Sequence, residues 1–259
     1  MKVCNVVRED FYQVLAHVFD AMAVCPSVLE VGVLHGQNAL KMQRALRPAS
    51  LVLVDSWSAA DNAARTPFDI TPSWVQGTES AQAYYGGPLS EQATFDRLFE
   101  SCRRSFEGQP GVHFVRADSV AALPLIPRVS GTSRFELVYL DANHQYEFVL
   151  RDLMLYQDLV SPEGCFVLND CCHSDAGLRQ NLGVLEAASN FIKRSDFVPV
   201  ALTNTDWSDL ILVRRGSLLQ QSIDRAVVNS NVAWAEVPAA LLPAARVVQG
   251  PQRMNISFA

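Results

Sequence analysis

A short apolar segment, Val28–Val31, runs directly into a loop that carries Gly32 and Gly36, and a helical pattern, Asn38–Ala45, follows it. A second continuous apolar segment, Leu51–Val54, comes next. Continuous apolar strands are typical of a parallel sheet whose two faces are both covered. The sequence therefore predicts a strand–helix–strand unit with a glycine-containing turn at the end of its first strand.

The same alternation of apolar strands and helical patterns continues along the chain. Three further strands and one helix are predicted over His113–Arg116, Leu137–Leu140, Cys165–Leu168 and, for the helix, Tyr146–Leu159. Ser161–Gly164 is predicted to be a turn before the last of these strands. Two later strands, Phe197–Thr203 and Asp209–Arg214, are predicted to pair as a terminal antiparallel hairpin. We therefore predict an α/β fold with a mostly parallel sheet and helices on both faces.

The predicted core domain covers residues 1–215 and begins with an amphipathic helix in Met1–Asp20. Residues 58–87 form a polar and aromatic segment that is predicted to be an inserted lid. Its aromatic side chains, which include Trp74, Tyr84 and Tyr85, are expected either to form a wall for a substrate or to be partly buried. Residues 216–259 are predicted to be an extension with a final helix and an arm that packs on a partner subunit.

Composition restricts the classes of partner. The formal net charge of −6 argues against a nucleic-acid backbone, because neutralising phosphates requires a basic face. No apolar stretch reaches the roughly 18 residues of a membrane-spanning helix. The six cysteines lack a C-x-x-C pair and are expected to be reduced. A small-molecule substrate and a cytoplasmic location are therefore expected, with neither nucleic acid nor membrane as a partner.

Polar and glycine residues follow successive strand ends, which is where open α/β sheets bind ligands. The candidates for cofactor binding are Glu30, Gly32, Gly36, Asp55, Ser56, Asp118, Ser119 and Asp141. The glycines allow the backbone to approach a ligand closely. Asp55 is expected to accept hydrogen bonds from ribose hydroxyls, and Asp118 from an adenine amino group. The G-x-G-x-x-G spacing of dinucleotide-binding folds is absent, which argues against NAD.

A second group of polar residues follows the fourth and fifth predicted strands: Asp141, His144, Asn169 and Asp170. Two carboxylates with an amide oxygen suit Mg²⁺, so Asp141, Asn169 and Asp170 are predicted metal ligands. His144 is the predicted catalytic base, because imidazole titrates near neutral pH, and Asp141 is its predicted catalytic partner. The alternatives are that Asp141 caps a helix, that His144 is structural, and that Asn169 and Asp170 only form a turn.

The loop E-x-G-x-x-x-G, from Glu30 to Gly36, resembles the first motif of class I S-adenosylmethionine (SAM)-dependent methyltransferases. The resemblance covers about Ser27 to Arg215 and implies their Rossmann-like, seven-stranded sheet. It also implies that Glu30 and Gly32 face the methionine part of SAM, that Asp55 faces the ribose, and that Asp118 with Ser119 face the adenine.

The segment D-x-x-H-x-Y-x-x-V-x-x-D-L, from Asp141 to Leu153, resembles metal-dependent small-molecule O-methyltransferases. These act on sugar moieties of natural products, and cephalosporin-type tailoring enzymes are related to them. The resemblance implies a Mg²⁺ site with His144 as the base. Asn169 departs from the pattern, since an acidic residue or His is more typical there, and one charge is lost.

The leading hypothesis is therefore a SAM-dependent methyltransferase that acts on a hydroxyl of a small molecule with the help of Mg²⁺. Metal-free methylation of nitrogen or oxygen, with His144 as the sole base, stays open within the same class. The alternatives from other classes are a catalytically silent SAM-binding subunit and a nucleotide-dependent oxidoreductase on the same fold. A homo-oligomer is expected by analogy alone.

Overall fold

The computed structural model describes residues 1–62, 79–205 and 207–259. The strands are β1 Lys2–Cys4, β2 Ser27–Val31, β3 Ser50–Asp55, β4 Val112–Arg116, β5 Phe135–Leu140, β6 Val160–Leu168, β7 Phe197–Thr203, β8 Leu210–Arg214, β9 Trp234–Glu236, β10 Arg246–Gln249 and β11 Met254–Ser257. The helices are α1 Arg8–Ala21, α2 Gln37–Leu46, α3 Ala59–Asn62, α4 Glu79–Tyr85, α5 Gln92–Ser105, α6 Ser119–Ala122, α7 Ile126–Ser130, α8 Tyr146–Tyr156, α9 Asp175–Arg179, α10 Val184–Ile192 and α11 Leu218–Asn229, with a 3₁₀ helix at Ala239–Ala244.

The central sheet has the order β4-β3-β2-β5-β6-β8-β7-β1-β9 over the described residues. Its first seven members are the predicted parallel strands and the predicted β7–β8 hairpin, which is antiparallel. The predicted number of strands is wrong, because β1 pairs in parallel with β7 and β9 pairs antiparallel with β1. These two strands cover an edge that would otherwise present unpaired backbone groups.

Helices cover both faces of the sheet, as predicted. Along β3, Leu51 and Leu53 belong to one apolar core, which is completed by α1, α2, α5 and α11. Val52 and Val54 belong to the other, which is completed by α6, α7, α8 and α10. The continuous apolar sequence of β3 thus reflects a strand that is buried on both of its faces.

Two local predictions need correction. Met1–Asp20 is not a single helix, because Lys2–Cys4 pairs in the sheet and α1 begins only at Arg8. Ser161–Gly164 does not precede the strand, because β6 already begins at Val160. The register of β6 on β5 shifts within that segment, so the strand is irregular where a turn was predicted.

The C-terminal segment packs on its own chain. The predicted final helix is α11, and β9 joins the central sheet. Leu242 and Ala245 are buried in the core beneath α10, and the amide of Val247 donates to the carbonyl of His173. The predicted arm therefore contacts its own chain, and its contact with a partner subunit stays a prediction.

All six cysteines are free thiols, as expected for reduced cysteines. No helix in the described part of the chain is long and apolar enough to cross a membrane. Within the predicted lid, residues 63–78, which include Trp74, lie outside the described residues, and α3 and α4 lie on either side of them.

Candidate active site

The glycine loop connects β2 to α2 at the carboxyl end of the sheet. Gly32 has a φ of +89°, and a Cβ atom there would overlap the backbone carbonyl of Asp141. Gly36 has a φ of +75° and forms the N-cap of α2. Only glycine fits position 32, because any side chain would push the loop away from the end of β5. The loop is thereby in direct contact with the segment that leads to His144.

Asp55 and Trp57 hold this loop from the end of β3. The carboxylate of Asp55 accepts hydrogen bonds from the amides of Val33 and Leu34, both at 2.9 Å, and from the amide of Trp57 at 2.8 Å. The indole N–H of buried Trp57 donates to the carbonyl of Leu34 at 2.9 Å. A carboxylate has about four acceptor positions, so Asp55 has room here for one ribose hydroxyl rather than two. Ser56 lies between these anchors and is partly buried.

Glu30 is 1 % exposed, and its carboxyl group is only half paired. Oε1 accepts from the side-chain amide of Asn38 at 2.9 Å, and Asn38 in turn accepts from the hydroxyl of Tyr12. Oε2 is buried and has no hydrogen-bond partner among the described residues. Burial raises the pKa of Glu30 well above its usual value, and the hydrogen bond from Asn38 opposes this only in part. A cationic group beside Oε2 would relieve the unpaired state.

Asp118 and Ser119 form hydrogen bonds with neighbouring residues after the end of β4. Oδ1 of exposed Asp118 accepts from the amides of Val120 and Ala121, so this residue caps α6. The hydroxyl of Ser119 is buried, donates to Asp152 at 2.8 Å and accepts from Arg151 at 2.7 Å. Asp152 is itself buried and pairs with Arg151. The predicted adenine contact of Ser119 therefore competes with an existing network, whereas that of Asp118 stays a prediction.

The structure brings the predicted second group together at the ends of β5 and β6. Nε2 of His144 lies 3.3 Å from Oδ1 of Asp141 and 3.6 Å from Oδ2 of Asp170. The side-chain amide of Asn169 donates to the same Oδ1 of Asp141 at 2.8 Å. We call these four residues the His144 cluster. Asn169 and Asp170 do form a turn, but the side chains of both also contact His144. Asp141 pairs with Asn169 and His144 rather than capping α8.

Burial and neighbouring charges shift the pKa values of the cluster in opposite directions. Burial lowers the pKa of His144, but the hydrogen bond and charge of Asp141 and the charge of Asp170 outweigh it, so that this pKa is raised. Burial raises the pKa of Asp170 to about 6, against the opposing effect of His144. Such perturbed groups in one cluster are typical of sites that transfer protons.

Arg8, the first residue of α1, reaches the cluster from outside the predicted set. Its Nε lies 2.6 Å from Oδ2 of Asp209 and its Nη2 lies 2.9 Å from Oδ1, while Nη2 also donates to Oδ1 of Asn169. Asp209 is 2 % exposed and precedes β8. The hydroxyl of Tyr139 lies 3.3 Å from Asp209, and the Tyr139 ring lies under the guanidinium. A partly buried ion pair therefore lies against Asn169 of the cluster.

A match to a family model bears directly on this site. Residues 29–171 match the model of a family described as "Methyltransferase domain", and the match includes the glycine loop and the whole His144 cluster. The chain belongs to this methyltransferase family. Membership confirms the class I SAM-dependent methyltransferase expected from the resemblance, while the metal-dependent subgroup stays a prediction.

Solved structures similar to this methyltransferase include three O-methyltransferases. The first is the O-methyltransferase TomG of Streptomyces achromogenes, involved in tomaymycin synthesis and in complex with SAM (18 % identity, TM-score 0.49, covering 81 % of this chain and 82 % of that chain). The second is an O-methyltransferase of Bacillus cereus in complex with SAH (11 % identity, TM-score 0.47, covering 81 % of this chain and 83 % of that chain). The third is a putative caffeoyl-CoA O-methyltransferase of Staphylococcus aureus (9 % identity, TM-score 0.49, covering 81 % of this chain and 86 % of that chain). No curated protein matches the chain. Similarity at this level transfers neither a substrate nor a mechanism.

The predicted Mg²⁺ site of this methyltransferase does not fit the arrangement of the side chains. A guanidinium can only donate hydrogen bonds, so the oxygen of Asn169 must face Arg8 and its NH₂ group must face Asp141. The predicted ligand oxygen of Asn169 is thereby turned away from the carboxylates. Among the described residues, no group of three or more His, Cys, Asp or Glu side chains is arranged to hold a metal ion.

Two aromatic residues of the predicted lid have different environments. Tyr85 packs against the ring of Phe95, with centroids 5.8 Å apart, and adjoins the core. Tyr84 is 65 % exposed, and its backbone carbonyl lies 3.2 Å from Nε2 of His35 in the glycine loop. Burial raises the pKa of Tyr84, and the charges of Asp141 and Asp170 add to this, so the phenol lies within electrostatic reach of the cluster.

His173, the other histidine near the fifth strand, pairs with Glu186 at 3.6 Å and is half exposed. It takes no part in the His144 cluster. Sequence reasoning missed Arg8, Asp209 and Trp57, which support the site from α1, β8 and the end of β3. Arg8 and Asp209 are 201 positions apart, and no local pattern marks such a pair. For Trp57, the signal was its place two residues after a strand-end Asp.

Proposed function

We propose that this methyltransferase transfers the methyl group of SAM to a hydroxyl group of a small molecule and that His144 removes the hydroxyl proton. The observation that carries the proposal is the contact between Gly32 and the backbone of Asp141. This contact joins the loop expected to hold the methyl donor to the cluster that holds the base. Proximity of donor, acceptor and base is the main requirement of this reaction.

Several features of the glycine loop fit SAM. Gly32 leaves the backbone uncovered, and the buried, unpartnered Oε2 of Glu30 suits the ammonium group of the methionine part. Asp55 keeps one acceptor position for a ribose hydroxyl. When bound, SAM supplies a methyl group on a positively charged sulfur and leaves as neutral S-adenosylhomocysteine.

The contacts of His144 support a role as a general base. The carboxylate of Asp141 only accepts hydrogen bonds, so we assign the imidazole proton to Nε2, which leaves Nδ1 to accept a proton. Asp141 thereby fixes both the tautomer and the orientation of the ring, as the acidic member of a catalytic triad does. The substrate loses its hydroxyl proton to Nδ1 as its oxygen bonds to the methyl carbon and the bond from that carbon to sulfur breaks. Asp141 and Asp170 stabilise the imidazolium that forms.

The proposal is tested first by SAM binding. Isothermal titration with SAM and S-adenosylhomocysteine is expected to show binding to the wild-type protein. Gly32→Ala is expected to abolish it, because the new methyl group would overlap Asp141. Absence of binding to the wild-type protein would refute the proposal.

The role of His144 is tested by methyl transfer from radiolabelled SAM to a panel of hydroxylated small molecules, sugar diols of natural products among them. His144→Gln is expected to retain SAM binding and to lower turnover by about 10²–10⁴-fold, the usual contribution of a general base. His173→Gln, outside the cluster, is the matched control. Unchanged turnover in His144→Gln would remove it as the base. SAM binding without turnover on any acceptor would favour a catalytically silent SAM-binding subunit.

A further inference from the structure

We propose that Arg8 is a positioning residue that fixes the orientation of the Asn169 side chain and gives the His144 cluster a built-in cation beside it, so that no divalent metal is held between its carboxylates. The inference rests on the proposed function, because it concerns how the same cluster is organised for proton transfer. It makes this site metal-independent by construction, in contrast to the Mg²⁺ ligand set predicted from the sequence.

The guanidinium of Arg8 is held on three sides. Two of its nitrogens contact the two oxygens of Asp209, at 2.6 and 2.9 Å, in the bidentate geometry that favours Arg over Lys. The aromatic ring of Tyr139 lies 5.5 Å below it. The remaining hydrogen-bonding direction of Nη2 is toward Oδ1 of Asn169. Arg8 is therefore fixed in orientation, and so is the group that accepts from it.

This orientation determines which side of the Asn169 amide faces Arg8 and which faces Asp141. Because Arg8 can only donate, the amide oxygen faces the guanidinium, and the NH₂ group lies 2.8 Å from Asp141 and 3.3 Å from Nε2 of His144. A cation bound at Asp141 would meet amide hydrogens instead of an oxygen ligand. Nε2 of His144 also lies within 3.6 Å of both carboxylates, where a shared cation would be coordinated.

The identity of residue 169 agrees with this reading. Aspartate at that position would pair with Arg8, so it would not become a metal ligand while the guanidinium is present. Converting the cluster into a metal site therefore requires two changes, removal of the Arg8 charge and gain of a carboxylate at position 169. Only the two changes together supply three carboxylate ligands free of a neighbouring cation.

The first experiment measures Mn²⁺ binding to the full chain by titration calorimetry and electron paramagnetic resonance, without SAM or substrate. Wild-type protein, R8M and N169D are each expected to bind Mn²⁺ no tighter than the control R103M, which alters an exposed arginine. The double variant R8M/N169D is expected to bind at least about tenfold tighter. The inference is overturned if the double variant shows no gain, or if the wild-type protein binds Mn²⁺ at a site that D141N abolishes.

The second experiment follows the side-chain amide of Asn169 by ¹H–¹⁵N NMR, with N169D providing its assignment. Two separate, slowly exchanging amide protons are expected in the wild-type protein and in R8K, which keeps a donor. In R8M they are expected to shift and to exchange faster, whereas R103M leaves them unchanged. An amide signal in R8M identical to that of the wild-type protein would overturn the inference.

R8M leaves buried Asp209 without its cationic partner. The same measurements are therefore repeated with R8M/D209N and R8M/D209N/N169D, in which residue 209 carries no charge. Both measurements are made without substrate. Failure of SAM binding or of methyl transfer would therefore count against the proposed function, while the metal and NMR results decide the role of Arg8 separately.

Discussion

Asp170 has a left-handed backbone conformation, with a φ of +55°. Few residues other than glycine adopt it, although Asp and Asn tolerate it best. This conformation turns the chain sharply after β6 and brings the carboxylate to 3.6 Å from His144. Strain of this kind persists where the surrounding structure enforces it, and such positions often lie in functional sites.

The rate of methyl transfer is expected to fall as the pH falls through the pKa of His144, because the protonated imidazole cannot accept a proton. Although burial lowers this pKa, Asp141 and Asp170 raise it above the ordinary value of 6.5. Asp170→Asn removes one of these charges, so the inflection of kcat/KM against pH is expected to move to lower pH. The control Glu100→Gln, at an exposed position, is expected to leave the profile unchanged. An inflection that stays in place in Asp170→Asn would contradict this account.

Asp170 is also expected to limit stability. Its pKa is about 6 in the folded protein because it is buried, compared with an ordinary value of 3.8. The stability that the protonated form contributes is fully present below pH 4 and is lost as the pH rises through 6. Asp170→Asn, which suits the same backbone, should therefore raise the free energy of unfolding by about 2 kcal/mol at pH 8 and by little at pH 4. Urea unfolding at both pH values tests this, with exposed Asp158→Asn as the control.

Three residues of the His144 cluster share one property that the sequence makes visible. Asp141, His144 and Asp170 lie in the loops that follow apolar strands, and parallel strands bring their carboxyl ends to one edge. The orientation of the Asn169 side-chain amide could not be predicted in this way, because it depends on Arg8, which lies 161 positions earlier in the chain. An amide offers an oxygen or an NH₂ group, and only the three-dimensional neighbour decides which.

Among the elements, α1 links both halves of the site. Arg8 and Tyr12 are four residues apart and therefore lie on one face of the helix. Arg8 supports the His144 cluster, while the hydroxyl of Tyr12 donates to Asn38, which donates to Glu30 beside the glycine loop. This helix precedes the residues that match the family model, so the matched segment relies on an element outside it.

Helix α4 carries the next prediction. Tyr84 is exposed and lies near Asp141 and Asp170 of the His144 cluster. Tyr84→Ala is therefore expected to raise the KM of the acceptor substrate several-fold and to leave the dissociation constant of SAM unchanged. Tyr85→Ala removes a ring that packs against Phe95, and it is expected to lower thermal stability instead. Steady-state kinetics and thermal unfolding separate the two outcomes. Equal effects of both variants on KM would show that α4 contributes no specific contact through Tyr84.

For the strands, a continuous apolar segment decided how well an element could be predicted. The longer strands β3, β5 and β7 are apolar over four or more residues, and their burial on both faces shows in the sequence. Strands β1 and β9 have three residues each, which is too short for a periodic signal. They form because each pairs along its length with a neighbour already in the sheet.

For the molecule as a whole, the N-terminal and C-terminal segments are joined through Lys2. Its ammonium group is buried and pairs with Asp224 of α11 and, at 2.8 Å, with Glu236 of β9. The first strand of the chain thus contacts two elements of the predicted extension. The predicted extension is therefore packed against the N-terminal strand of the sheet.

A pair of neighbouring leucines tests whether the C-terminal segment unfolds together with the rest of the molecule. Leu242 is 1 % exposed and packs in the core beneath α10, whereas Leu241 is 43 % exposed. Leu242→Ala is expected to cost about 2–5 kcal/mol by leaving a cavity, and Leu241→Ala close to nothing. Calorimetry should show one transition at a lower Tm for Leu242→Ala, because the cavity lies in a core shared with β5 and β6. A separate early transition, with the main one unchanged, would mean that the segment is an independent unit.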